Sequence, residues 1–153
     1  MTHECGLITD GQGLAFQHLG RSEAEFLYQE IFVRRSYFQC GVSLMATGQP
    51  TVVDVGANIG LFSLACHRAN PRCRIVAVEP VPAAFEVLER NLSHLGGATC
   101  VRRALAESSA ARGVLTSYPG ATAESSRHPR ERAMQLARLQ AHVASSSGRG
   151  GGS

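Results

Sequence analysis

The sequence predicts an α/β fold built on a strand–helix–strand–helix–strand unit over residues 51–105. Two observations carry that expectation. Thr51-Val-Val-Asp-Val55 and Arg74-Ile-Val-Ala-Val78 are short β-branched runs of the kind that fill buried parallel strands. Each ends on a turn signal, Gly56 for the first and Glu79-Pro80 for the second. Each is followed by a stretch with helical spacing of apolar residues, and strands alternating with helices form parallel sheets through right-handed crossovers.

The elements follow in order. Residues 1–21 carry Gly6, Gly11, Gly13 and Gly20 with little periodicity and read as a flexible lead-in, loose or holding an edge strand. Ser22-x-x-Glu25 has the form of a capping box. With Leu27/Ile31 and Tyr28/Phe32 at i, i+4 it predicts a helix from Ser22 to Arg35. Thr51–Val55 is expected as a strand buried on both faces. Ile59 to Ala69 reads as a helix stopped by Asn70-Pro71. Beyond Arg74–Val78, Pro82 suits a first helical turn. Phe85, Leu88, Leu92 and Leu95 then form an apolar stripe that ends at Gly96-Gly97. Ala98 to Leu105 is a third strand, and Gly113 to Tyr118 a weaker fourth. Pro129 to Val143 has helical spacing, with Arg130, Arg132 and Arg138 on what reads as a solvated face. Ser145 to Ser153 is a Ser/Gly tail with no capacity to pack.

Composition narrows the function classes. The chain has 153 residues, of which 44% are hydrophobic and 18% charged, so a globular domain is expected and wholesale disorder is not. Fifteen basic residues, all Arg, against 12 acidic ones give a formal charge of +3, a poor basis for electrostatic nucleic-acid binding. The apolar-looking stretch Thr51–Cys66 is broken by Asp54, Asn58 and two glycines, which argues against a membrane span. No basic and apolar leader opens the chain. Five cysteines without a C-x-x-C pair argue against a disulfide framework or a metal site, and point to reduced thiols in the cytoplasm.

The chemistry is concentrated in Asp54-Val-Gly56-Ala57-Asn58-Ile-Gly60, between the first strand and the following helix. Glycine there permits a sharp left-handed turn and close approach of a ligand to the backbone. The helix beyond offers unpaired N–H groups. Asp54, at the strand's carboxyl end, projects into the crevice where open α/β sheets bind ligands, and an acidic group suits an ammonium or a sulfonium. Glu79 stands 23 residues beyond Gly56, followed by Pro80, and can accept hydrogen bonds from both hydroxyls of a ribose. Together they describe a pocket for a nucleoside with a positively charged tail. Asn58 occupies the place where a dinucleotide fingerprint has its middle glycine. S-adenosyl-L-methionine therefore fits better than a nicotinamide dinucleotide. Asn58 can also be read as a helix cap, and Tyr28 and Tyr37 as a lid or, more simply, as core.

VVDVGANIGLFSL followed by VAVEPVPAAFEVLERNL resembles the first two cofactor motifs of the FkbM family of S-adenosylmethionine-dependent methyltransferases. EFLYQEIFVRRSYFQCGVSL upstream and Tyr118-Pro-Gly120 downstream are similar to members found in or beside polyketide and nonribosomal peptide assembly lines. The resemblance spans about residues 22–122. It implies the Rossmann-like class I methyltransferase fold and methyl transfer to a hydroxyl oxygen, with a small-molecule acceptor of the polyketide or peptide class. Position by position, Asp54, Gly56, Ala57, Asn58 and Gly60 match the loop at the methionine end, and Glu79 with Pro80 the ribose end. Ala104 and Leu105 match the wall beside the adenine. Nothing from Gly120 onward resembles the family's later strands, so the resemblance implies the N-terminal half of that fold. The expected divisions are a lead-in (1–21), a cofactor-binding half (22–122), a polar segment and helix (123–144) and a disordered tail (145–153). No catalytic residue is assigned, and association through an uncovered sheet edge is expected. A non-catalytic or partner-completed cofactor module and a dinucleotide-dependent oxidoreductase half are the alternatives.

Overall fold

The computed structural model describes residues 5–38 and 48–106. The weaker fourth strand, the helix over 129–143, Tyr118–Gly120 and the tail lie outside the described residues. Within them the chain forms β1 (Gly6–Thr9), β2 (Ala15–His18), α1 (Arg21–Tyr28), β3 (Thr51–Val55), α2 (Leu61–Ala69), β4 (Arg74–Val78), α3 (Pro82–Leu92) and β5 (Ala98–Val101). A π-helical turn, Gln29–Val33, continues α1, and a 3-10 turn follows at Ser36–Phe38. β3, β4 and β5 make a parallel sheet in that order, with Val52 beside Ile75 and Asp54 beside Ala77. This is the expected α/β unit, and it matches a Rossmann-like methyltransferase fold.

The register decides which residues are buried. Val52, Asp54, Ile75, Ala77, Ala98 and Cys100 share the face that meets the buried stripes of α2 and α3. Leu61, Leu64, Cys66, Phe85, Leu88, Leu92 and Leu95 complete that core. The opposite face differs from the expectation of a doubly buried sheet. Val53 is 61% exposed and Val55 49%, and both line an open crevice with Leu27, Ile31 and Tyr37. The outer edge of β3 likewise has no strand partner among the described residues.

Residues 6–18 correct the reading of a flexible lead-in. β1 and β2 pair as an antiparallel hairpin, closed by the Asp10 N–H on the Leu14 carbonyl at 2.8 Å. Its anchor is Phe16, 1% exposed, and Gly6 is needed because a side chain there would meet the His18 imidazole. Asn91 of α3 ties the hairpin to the domain. Its Oδ1 accepts the Gln17 N–H at 2.7 Å, and its Nδ2 donates to the Gln17 carbonyl at 3.0 Å and the Ile59 carbonyl at 2.7 Å. One amide thus joins β2, α3 and the segment before α2.

Local starts and stops also shift. The capping box does not form: Gly20 is the N-cap, with the Ala24 N–H on its carbonyl at 3.0 Å, and Glu25 pairs with Arg21 at 2.8 Å. α3 stops at Leu92, ahead of Gly96-Gly97. β5 ends at Val101, where the Arg103 N–H turns back to the Val101 carbonyl at 3.0 Å, so Ala104 and Leu105 lie beyond the sheet.

Replacing Asn91 by Ala strands the Gln17 N–H and the Ile59 carbonyl in a buried setting. Urea unfolding is expected to show a loss of roughly 2–4 kcal/mol, with hydrogen exchange at Gln17 speeding up most. An unchanged midpoint would contradict the cross-link by Asn91.

Candidate functional site

Beyond Val55 the chain turns through residues 56–60 into α2. Gly56 has φ +75 and Gly60 φ +88, left-handed backbone that glycine adopts without penalty. Their surroundings differ. A Cβ on Gly56 would meet nothing within 4 Å, so that side of the loop is open. A Cβ on Gly60 would come within 2.7 Å of Leu88 Cδ1, so Gly60 is what lets α3 pack on the loop. Asn58 between them also lies in the left-handed region, at φ +49, where Asn is better tolerated than most residues.

The loop is clamped from the end of β4. The Val78 carbonyl accepts the Gly56 N–H at 2.8 Å and the Ala57 N–H at 3.0 Å. Glu79 is buried; its Oε2 accepts the Asn58 N–H and its Oε1 the Val81 N–H, each at 2.8 Å. The Asn58 side chain reaches Glu23 at 3.4 Å and does not cap α2. Burial pushes the Glu79 carboxyl above its ordinary pKa. The two N–H bonds pull it back only in part, and the charge of Asp54 adds to the rise.

Asp54 does work that its sequence position did not reveal. Its Oδ2 accepts the Ser63 hydroxyl at 2.6 Å, and the carboxylate also takes the Ser63 backbone N–H. Ser63 stands in the first turn of α2, whose N-cap is the bare Gly60. A strand carboxylate therefore caps the helix, where the positive end of the helix dipole favours it. Burial still raises the Asp54 pKa, against the two Ser63 bonds.

Asp54, Gly56, Ala57 and Asn58 come together along a crevice of about 480 Å³ at the carboxyl end of β3, walled by Leu27, Ile31, Tyr37 and Phe62. No Arg or Lys is among the described residues that line it. Gly60 and Glu79 stand behind the loop as its supports. Pro80 does not line this crevice, and neither do Ala104 and Leu105; Ala104 is exposed and Leu105 is 69% exposed. The two tyrosines separate. Tyr28 donates its hydroxyl to Asp10 at 2.8 Å and stacks on Phe32 at 4.9 Å, away from the crevice. Tyr37 stays at the crevice wall, 5.2 Å from the Phe62 ring. Ser63 was not legible beforehand; the one trace is a hydroxyl in an otherwise apolar first helical turn.

Comparison with known proteins adds to this geometry. Over 128 residues, 82% of its length, the chain is 35% identical to the methyltransferase sdnD of Sordaria araneosa. Over 117 residues, 76% of its length, it is 38% identical to the 31-O-demethyl-FK506 methyltransferase FkbM of Streptomyces tacrolimicus. The chain is similar in sequence to methyltransferases. It spans about half of each relative, 48% of the first and 44% of the second. A stretch of 74 residues is 47% identical to 3% of the AMB antimetabolite synthetase AmbE of Pseudomonas aeruginosa. No family model matches the chain.

In Glu79→Gln one of the two backbone N–H groups must face an amide N–H₂. Urea unfolding at neutral pH is expected to show a loss of about 1–3 kcal/mol. The raised pKa values of Asp54 and Glu79 have a definite sign: ionising these groups costs folding free energy. Their contribution therefore becomes more favourable as pH falls from above the raised values toward the ordinary carboxylate range. The stability difference between wild type and Glu79→Gln should change with pH in that window. A neutral substitution, or a pH-independent difference, would contradict the clamp.

Proposed function

We propose that the crevice binds a methyl donor of the S-adenosyl-L-methionine type, and that the chain is the cofactor half of an FkbM-type methyltransferase. The observation that carries this reading is Gly56, left-handed and open on its crevice side, next to Asp54 in a crevice with one carboxylate and no described cation. Such a site favours a ligand whose charged end is positive. It disfavours a pyrophosphate, because the α2 N-terminus that would hold one already binds Asp54. That argues against the dinucleotide alternative.

The residues fit the donor in distinct ways. Asp54 offers its negative charge to the ammonium of the methionine end, and the backbone of Gly56, Ala57 and Asn58 allows close approach. Glu79 spends one acceptor direction of each oxygen on backbone N–H groups. A carboxylate has about four such directions, which leaves capacity for ribose hydroxyls. Pro80, Ala104 and Leu105 are assigned to the adenine side. The bound donor supplies an electrophilic methyl group on sulfonium, and the protein's part is to align it with the acceptor and to exclude water. The acceptor we assign is a small-molecule hydroxyl; the names of the FK506 methyltransferase and the antimetabolite synthetase support a natural product of polyketide or peptide type. The cytoplasm is the compartment assigned, which suits the free described cysteines. Among the described residues no helix is long and apolar enough to cross a membrane.

A second reading, a cofactor module completed by another polypeptide, is favoured by the outer edge of β3, which has no strand partner among the described residues. Calorimetry with S-adenosylhomocysteine tests the pocket, and methyl transfer to added acceptors then separates the two readings. Micromolar binding is expected, weakened roughly tenfold in Asp54→Asn by loss of a charge-assisted contact, with no heat from NADH. A folded protein that binds no S-adenosylhomocysteine would overturn the proposal.

A further inference from the structure

A second cavity lies on the other side of Ile31. It has a volume of about 430 Å³, and its apolar lining includes Ile31, Phe32, Phe38, Ala65 and Ala69. Ile31 lines the crevice as well, so the two spaces share a wall. The volume falls within the range of small-ligand sites, roughly 300–1,000 Å³.

The rim of this cavity is basic. Arg68 is held there by Asp10, at 3.3 Å, and by Gln12. Asp10 is itself anchored, accepting the Gln12 and Leu14 N–H groups and the Tyr28 hydroxyl, each at 2.8 Å. That network fixes Arg68 in place and cancels its charge. Arg35 is different. Its guanidinium lies over the Phe38 ring, 5.6 Å from the centroid, and among the described residues it has no carboxylate partner. Among the described residues, two guanidinium groups against one carboxylate give the rim a net positive charge.

The backbone that presents Arg35 is costly. It follows the π-helical turn Gln29–Val33 and sits at φ +52, a region where a long L side chain is disfavoured. π-Turns and left-handed non-glycine residues persist where the surroundings or a function sustain them. Here the strained residue supplies a rim charge with no carboxylate partner among the described residues, above an aromatic floor.

We propose that this cavity is a ligand subsite for an organic anion: a carboxylate on an apolar body, with the head on Arg35 and the body against Phe32, Phe38 and Ala69. The aromatic floor and the fork of the guanidinium suit that pairing, since Arg binds planar carboxylates through two parallel hydrogen bonds. The assignment is independent of what the crevice binds.

Decanoate is the probe, with decanol as its neutral counterpart, titrated calorimetrically into the full-length chain. Decanoate should bind saturably and decanol markedly more weakly. Arg35→Gln should weaken decanoate roughly tenfold, as for loss of a charge-assisted hydrogen bond, and leave decanol unchanged. Ala69→Phe, at the exposed end of α2, should fill the cavity and abolish both. Arg35→Gly adds a readout that a merely structural arginine would not give: thermal stability should rise as the left-handed strain is relieved, while decanoate affinity falls. No saturable decanoate binding, equal affinity for decanol, or decanoate binding indifferent to Arg35→Gln would overturn the subsite.

Discussion

One buried carboxylate holds the working end of the sheet together. Glu79 spans the gap between two segments that the sheet alone does not connect, taking the Asn58 N–H on one oxygen and the Val81 N–H on the other. The first fixes the middle of the loop after β3, and the second fixes the entry to α3. With the Val78 carbonyl holding Gly56 and Ala57 from the same strand end, three successive loop N–H groups are satisfied by β4 and the residue after it. This offsets the left-handed geometry of Asn58, since a strained backbone persists where its surroundings over-determine it.

The rest of the site follows from that clamp. A loop fixed at Gly56–Asn58 sets where α2 begins, and Asp54 then reaches Ser63 to cap it. Both acidic residues are therefore structural, and Asp54 also lines the crevice. Each is buried enough for its pKa to rise, and each keeps the loop in a shape that a ligand need not pay to create. The crevice combines one carboxylate with apolar and aromatic walls, the arrangement on which the proposal of a positively charged ligand rests. The neighbouring cavity carries Arg35 and Arg68 on its described lining, so the two spaces that share Ile31 differ in the charges they present.

The fold was readable in the sequence where local chemistry and burial agree. Thr51–Val55 and Arg74–Val78 are delimited to the residue, because each is a β-branched run closed by a residue that ends a strand. The stripe Phe85, Leu88, Leu92 and Leu95 was legible from its spacing, and all four are buried, Leu95 just past the end of α3. What the sequence hid depends on partners distant in the chain. Asn91 reads as a polar residue near a helix end; only the approach of Gln17 and Ile59 makes it a cross-link. Gly6 suggested looseness but marks close packing against His18. Val53 and Val55 looked buried because composition cannot say which face of a strand is covered. In the site, the loop residues could be named from their spacing. The Asp54–Ser63 bond could not, because it depends on the angle between strand and helix. Ala104 and Leu105 read as part of an extended β5, but the chain turns after Val101 and they lie beyond the sheet.

The clamp is tested most directly by following the amide resonances of Asn58 and Val81 through a pH titration. If Glu79 accepts both N–H groups, the two amides must shift together with one shared midpoint, which burial is expected to place above the ordinary glutamate value of 4.5, and both transitions must vanish in Glu79→Gln. Separate midpoints, or transitions that persist in Glu79→Gln, would contradict a buried carboxylate bridging the loop and α3.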